Sequence, residues 1–159
     1  MNELATIIES VNQLIDVEGL LGLINYHVET IQIKGSKLRC FCPLHREVAL
    51  RSLLIDLNTK TYKCTMNRCD GFKGGPVVEL WALFHGMELI EAAIDLAERQ
   101  KLPVDLVKLR SLGVNYLQQA EDALTAGNPS EARAAIDQAL KIDSRNHKAR
   151  QLSASIHEA

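Results

Sequence analysis

Apolar residues recur three and four positions apart in ELATIIESVNQLI (residues 3–15) and again in VEGLLGLIN (17–25). That spacing gathers them on one stripe of an α-helix and predicts two amphipathic helices, or one interrupted near Asp16. From His27 the period shortens to two. Ile31 and Ile33 alternate with Gln32 and Lys34, a turn falls at Gly35-Ser36, and Leu38 and Cys40 alternate with Lys37, Arg39 and Phe41. Alternation marks a strand with one buried face. Strands over 51–57 and 60–64, joined by a turn at Asn58-Thr59, complete a small antiparallel sheet.

Gly71, Gly74 and Gly75 close this β region, and Pro76 opens VVELWALFHG in the first helical turn, where a missing N–H costs least. Gly86 ends that helix, and ELIEAAIDLAER (88–99) supplies its partner. Pro103 biases Leu102 away from helical backbone, which places a domain boundary in KLPVD (101–105). Beyond it, helical periodicity covers roughly 106–126, 129–141 and 145–157. The pattern A-x6-G-N-x3-A-x6-A-L-x2-D, from Ala120 through Gly127, Ala132, Ala139 and Leu140 to Asp143, resembles a tetratricopeptide repeat, in which small residues let two helices approach closely. One repeat is fewer than such a solenoid uses to bury a core, and a generic helical hairpin fits the same pattern. The expected class is α+β: a small antiparallel sheet flanked by helices over 1–102, then an all-α segment over 103–159.

With 159 residues, 47% hydrophobic and 24% charged, the chain can bury one ordinary core or two small ones. No apolar run reaches the length of a membrane span, and MNELATIIES lacks a basic start followed by an apolar stretch. The expected compartment is therefore cytoplasmic, with no membrane partner. The net charge of −2 hides an asymmetry. Residues 1–30 carry five acids and no Lys or Arg, whereas 31–75 hold nine bases against three acids, a local balance of +6.

All four cysteines lie between Cys40 and Cys69, too locally to staple a chain of this length, and a cytosolic address keeps thiols reduced. A metal explains them better. Cys42-x2-His45 and Cys64-x4-Cys69, separated by an 18-residue stretch that reads as a hairpin, supply a closed tetrahedral set for one structural Zn²⁺. Cys40 competes as a ligand. A Cys40-x-Cys42 pair in extended backbone grips a metal less naturally than a Cys-Pro-x-His turn, so Cys40 is assigned to the core. With four protein ligands no position remains for an activated water, which points to a structural rather than catalytic ion.

The segments LIDVEGLLGLI, CPLHRE, YKCTMNRC, GFKGG and VVELWALFHGMELIEAAIDLAER follow one another in an order that resembles the N-terminal zinc-binding domain of bacterial DnaG-type primases, a Cys-His-Cys-Cys zinc ribbon, over about Ile7 to Leu102. The resemblance implies that Cys42, His45, Cys64 and Cys69 are the zinc ligands and that the sheet helps to bind single-stranded template. Two departures stand out. Ala49-Leu50-Arg51-Ser52-Leu53 replaces the usual Thr-Pro-Ser-Phe, and the second knuckle has four intervening residues rather than two. Nothing after residue 103 offers the Glu and Asp-x-Asp carboxylates with which a primase catalytic domain holds Mg²⁺. The resemblance thus implies a non-catalytic accessory to DNA replication or primer synthesis, not an enzyme by itself.

The residues between the ligands suit that role. Lys37, Arg39 and Phe41 share one strand face, Lys60 and Tyr62 share another, and Arg51, Lys63 and Arg68 lie nearby. Cations track phosphates while aromatic rings stack on bases of any identity, so the expected partner is single-stranded DNA, or RNA, read with little sequence preference. A rival reading is a protein-interaction adaptor that uses 105–159, with the zinc only a staple; a homodimer is compatible with either. His27, His85, His147 and His157 have no ligand constellation around them and are expected to be structural or solvent-facing. Trp81 and its neighbours read as core, and GFKGG lacks the spacing of a phosphate-binding loop.

Overall fold

The computed structural model describes residues 3–46, 48–142 and 146–158. Glu47 of the first knuckle, Asp143 of the repeat pattern and the expected start of the last helix at 145 lie outside them, as does the side chain of His157.

The first two stripes form separate helices, α1 (Glu3–Leu14) and α2 (Val17–Ile24). Leu4, Ile8 and Val11 face inward from α1 and Leu20 and Leu21 from α2. Asn25, with φ +52, ends α2, and a short 3₁₀ turn at Val28–Thr30 leads into the sheet. The strands are β1 (Gln32–Lys34), β2 (Lys37–Cys40), β3 (Leu53–Asp56), β4 (Thr61–Cys64) and β5 (Gly75–Pro76), an antiparallel meander in chain order. Register fixes its faces. Cys40, Leu53 and Cys64 form one cross-strand row, and Leu38, Ile55 and Tyr62 the next; all six are buried. Arg39, Leu54 and Lys63, then Lys37, Asp56 and Thr61, form the rows of the outward face.

Helices α3 (Val77–His85) and α4 (Leu89–Arg99) share one core with α1, α2 and the inward face of the sheet. Gly86 adopts φ +66 where α3 stops. Trp81 is fully enclosed, and its indole N–H donates to Asp95 at 2.8 Å. Asn12 ties three elements together, because its Nδ2 donates to the Lys60 carbonyl at 3.0 Å and its Oδ1 accepts from the Val78 amide at 2.9 Å. The Gln100 carboxamide closes the lobe: it accepts from the Asp16 amide and donates to the Asp16 carbonyl, both at 2.8 Å.

The remaining helices are α5 (Leu106–Thr125), α6 (Pro129–Ile142) and α7 (His147–Glu158). Asp105 caps α5 by accepting from the Lys108 amide at 3.0 Å. Ala120, Ala132, Ile136, Ala139 and Ala149 build a second core. Leu109 belongs to the first core and Ala120 to the second, so the change of core falls inside α5, beyond the boundary expected near Pro103. Gly127 differs from the expectation that it allows close helix approach. The space beside it is open, and its φ of +77 shows that it serves the left-handed turn between α5 and α6. Close approach occurs instead at Gly113, where a Cβ would stand 2.8 Å from Ile90. Five strands and seven α-helices among the described residues make the class α+β, and no helix among them is long and apolar enough to cross a membrane.

Candidate metal centre

The register that buries Cys40 and Cys64 brings two turns together at one end of the sheet. After Cys42 the chain folds back so that the Arg46 amide donates to the Cys42 carbonyl at 3.1 Å, with Arg46 itself at φ +52. Past Cys64 a second turn closes twice: the Cys69 amide donates to the Met66 carbonyl at 3.0 Å, and the Cys64 amide to the Gly71 carbonyl at 3.0 Å. Each sulfur then receives the amide two residues ahead. Leu44 donates to Cys42, Met66 to Cys64 at 3.4 Å, and Gly71 to Cys69 at 3.3 Å. Amides converging on sulfur stabilise thiolate and orient it, as outer-shell donors do at metal sites.

The donor atoms of Cys42, His45, Cys64 and Cys69 all lie within 4.8 Å of one another. Cys42 Sγ is 3.7 Å from Cys69 Sγ, and His45 Nε2 is 3.2 Å from Cys64 Sγ. A tetrahedral ion with metal–sulfur bonds of about 2.3 Å separates its sulfur ligands by about 3.8 Å, so the four groups fit one metal ion. The cysteines of this set are buried and His45 is half-buried. Burial pushes the Cys42 and Cys69 thiols above their ordinary range, and the Leu44 and Gly71 amides oppose that shift. Buried together, these three sulfurs would carry charge as thiolates only with a cation among them.

Cys40 lies outside this group, opposite Leu53, and burial pushes its thiol up to about 12. It stays a neutral core group. Ser52, which sequence reasoning passed over, is buried with its Oγ 3.1 Å from His45 Nε2 and 3.6 Å from Cys64 Sγ. Its signal was a hydroxyl directly before an apolar strand that pairs with a ligand-bearing one.

The basic residues divide by strand parity. Lys37, Arg39 and Lys63 are exposed on the outward face, with Lys37 paired to Asp56, and Arg68 is exposed on the second knuckle. Phe41, just past β2, is half-buried; the Arg51 guanidinium lies 5.3 Å from its ring centroid and His27 meets it edge-on at 5.7 Å. Arg51 also donates to the Thr30 carbonyl at 2.8 Å. Lys60 and Tyr62 depart from the expected second exposed face. Tyr62 shares parity with the ligand Cys64 on β4 and turns inward, 3% exposed, while Lys60 sits in the preceding turn at φ +55, half-buried, with its ammonium on the Ile15 carbonyl. Phe72, not singled out by the sequence, is an exposed aromatic of the second knuckle with the Lys63 ammonium 5.3 Å from its centroid.

No protein-family model matches this chain, and no curated protein and no solved structure is significantly similar to it.

Proposed function

We propose that this chain is a zinc-stabilised module that binds single-stranded nucleic acid, DNA foremost, as a non-catalytic accessory to replication or primer synthesis. One observation carries this reading: the four-ligand cluster stands at the end of a sheet whose outward face presents Lys37, Arg39 and Lys63. Three thiolates with one imidazole suit Zn²⁺ among the common divalent ions, and the two turns then form a ribbon of the Cys-His-Cys-Cys kind. With every tetrahedral position filled by protein, the ion holds the turns together and activates no water. The primase-like order of segments around the ligands supports the same reading.

A second reading rests on the separate core of α5 to α7. The cleft between α5 and α6, about 360 Å³, is lined by Asn115, Gln119, Glu131 and Gln138 among others, and suits a docked protein segment in the manner of a tetratricopeptide-like unit. The two readings are compatible but separable. Titration of labelled single-stranded DNA is expected to give an affinity that falls with salt. Exchanging Lys37, Arg39 and Lys63 for Glu is expected to weaken it, each lost phosphate contact reducing the salt slope by about 0.7. Absent or salt-independent binding rejects the nucleic-acid function and leaves the adaptor.

A further inference from the structure

Resting on the reading of the outward sheet face as a nucleic-acid surface, we propose that Phe72 is its base-stacking platform. The aromatic residues that the sequence nominated do not supply one. Tyr62 is 3% exposed in the core, and Phe41 is half-buried with Arg51 and His27 already against its ring. Phe72 is 41% exposed, and it sits three residues past the ligand Cys69.

Its loop is held in place. The Phe72 amide donates to the Cys69 carbonyl at 3.0 Å and the Gly74 amide to the Gly71 carbonyl at 3.1 Å. Gly74 has φ +74, and a Cβ there would stand 2.7 Å from the Tyr62 carbonyl oxygen, so the loop lies flat on β4. At Gly71 a Cβ would meet Leu44 of the other knuckle at 3.0 Å. A ring presented by a fixed loop loses little conformational freedom when a ligand covers it.

The charge around the ring selects the ligand. Lys63, close over Phe72, lines up with Arg39 across β3, two strand spacings or about 10 Å away. Cations at that interval with an aromatic ring at one end match a phosphate backbone that carries stackable bases. An acidic peptide would satisfy the cations and leave the ring without a partner. When a base stacks on Phe72, the Lys63 ammonium, on its flexible stem, moves from the ring to a phosphate.

The test uses the full chain with metal bound and an oligothymidylate as probe, each variant being checked for wild-type metal content and thermal midpoint. Phe72→Ala is expected to weaken affinity about 5- to 150-fold with the salt slope unchanged, because stacking is not electrostatic. Lys63→Gln is expected to lower the slope by about 0.7. Phe72→Trp is expected to keep the affinity and to show emission quenched by the oligonucleotide, a signal that enclosed Trp81 does not give in the wild type. Wild-type affinity in Phe72→Ala, or unquenched emission at saturation in Phe72→Trp, overturns the platform while charge-dependent binding keeps the nucleic-acid reading standing. If the wild-type chain binds no oligonucleotide, both fall.

Discussion

The ammonium of Lys60 donates to the main-chain carbonyl of Ile15 at 2.6 Å, across the break between α1 and α2. Lys60 sits at φ +55 at the end of the β3–β4 turn, and its own carbonyl accepts from Asn12, so this one residue fastens the sheet to the helices twice. Lys60→Met leaves the Ile15 carbonyl without its charged donor. We expect a loss of about 1.5 to 3 kcal/mol in urea unfolding, with single-stranded DNA affinity close to wild type. A large affinity loss with unchanged stability would return Lys60 to the binding face.

Cys64→Ser is expected to abolish metal binding, whereas Cys40→Ala keeps one ion per chain, since Cys40 lies outside the donor cluster. In small zinc modules the ion supplies on the order of 10 kcal/mol of folding energy. Chelation is accordingly expected to melt the sheet region while the second core, built by α5 to α7 alone, keeps helical circular dichroism. Metal analysis and circular dichroism check both statements, and an unchanged spectrum after exhaustive metal removal contradicts the second.

The Asp56 carboxylate is held at about 2, against an ordinary 3.8, chiefly by the Lys37 ammonium and then by the Thr59 and Asn58 amides. A depressed folded value means that its contribution is complete above the ordinary value and is lost as pH falls toward the folded one. Wild type should therefore lose stability relative to Asp56→Asn between about pH 4 and pH 2. The difference between the two thermal midpoints isolates this group, because acid release of metal is common to both. A difference that is flat across that window would show that Asp56 is not held this way.

Gly74→Ala places a methyl against the Tyr62 carbonyl in a left-handed backbone. Gly35→Ala, at φ +61, meets only open space. The Gly35 change should cost about 1 to 2 kcal/mol from backbone strain alone, and the Gly74 change more. Only Gly74→Ala should also speed metal transfer to a competing chelator, since its loop carries the Cys69 turn. Equal effects at the two sites would remove the steric role of Gly74.

The alternation of Leu38 and Cys40 with Lys37 and Arg39, and the turn at Asn58-Thr59, were enough to place the middle strands, because period two and one buried face are a single physical fact. The helices were legible for the same reason at period 3.6, and the four donors lie together as their spacing required. At Tyr62 the sequence reading missed the parity: two residues before the inward Cys64 on the same strand, it turns inward, whereas Lys60 lies in the turn at φ +55, where strand alternation does not reach. Other features carry no period. The left-handed residues Asn25 and His27 around the 3₁₀ turn, and β5 at Gly75-Pro76, take their shape from pairing with what is already built. Phe72 lies in a loop whose course is set by Gly71, Gly74 and sulfur-directed amides, which no residue pattern encodes.

Leu109 and Ala120 ride the same helix about three turns apart, one seated in each core. A rod gripped at both ends transmits torque. A partner that rolls the last helices about the α5 axis would bear on Leu109, and so on the core where α5 packs against α1 and α4. Mechanical communication between the two halves therefore needs no flexible linker, only the stiffness of one α-helix.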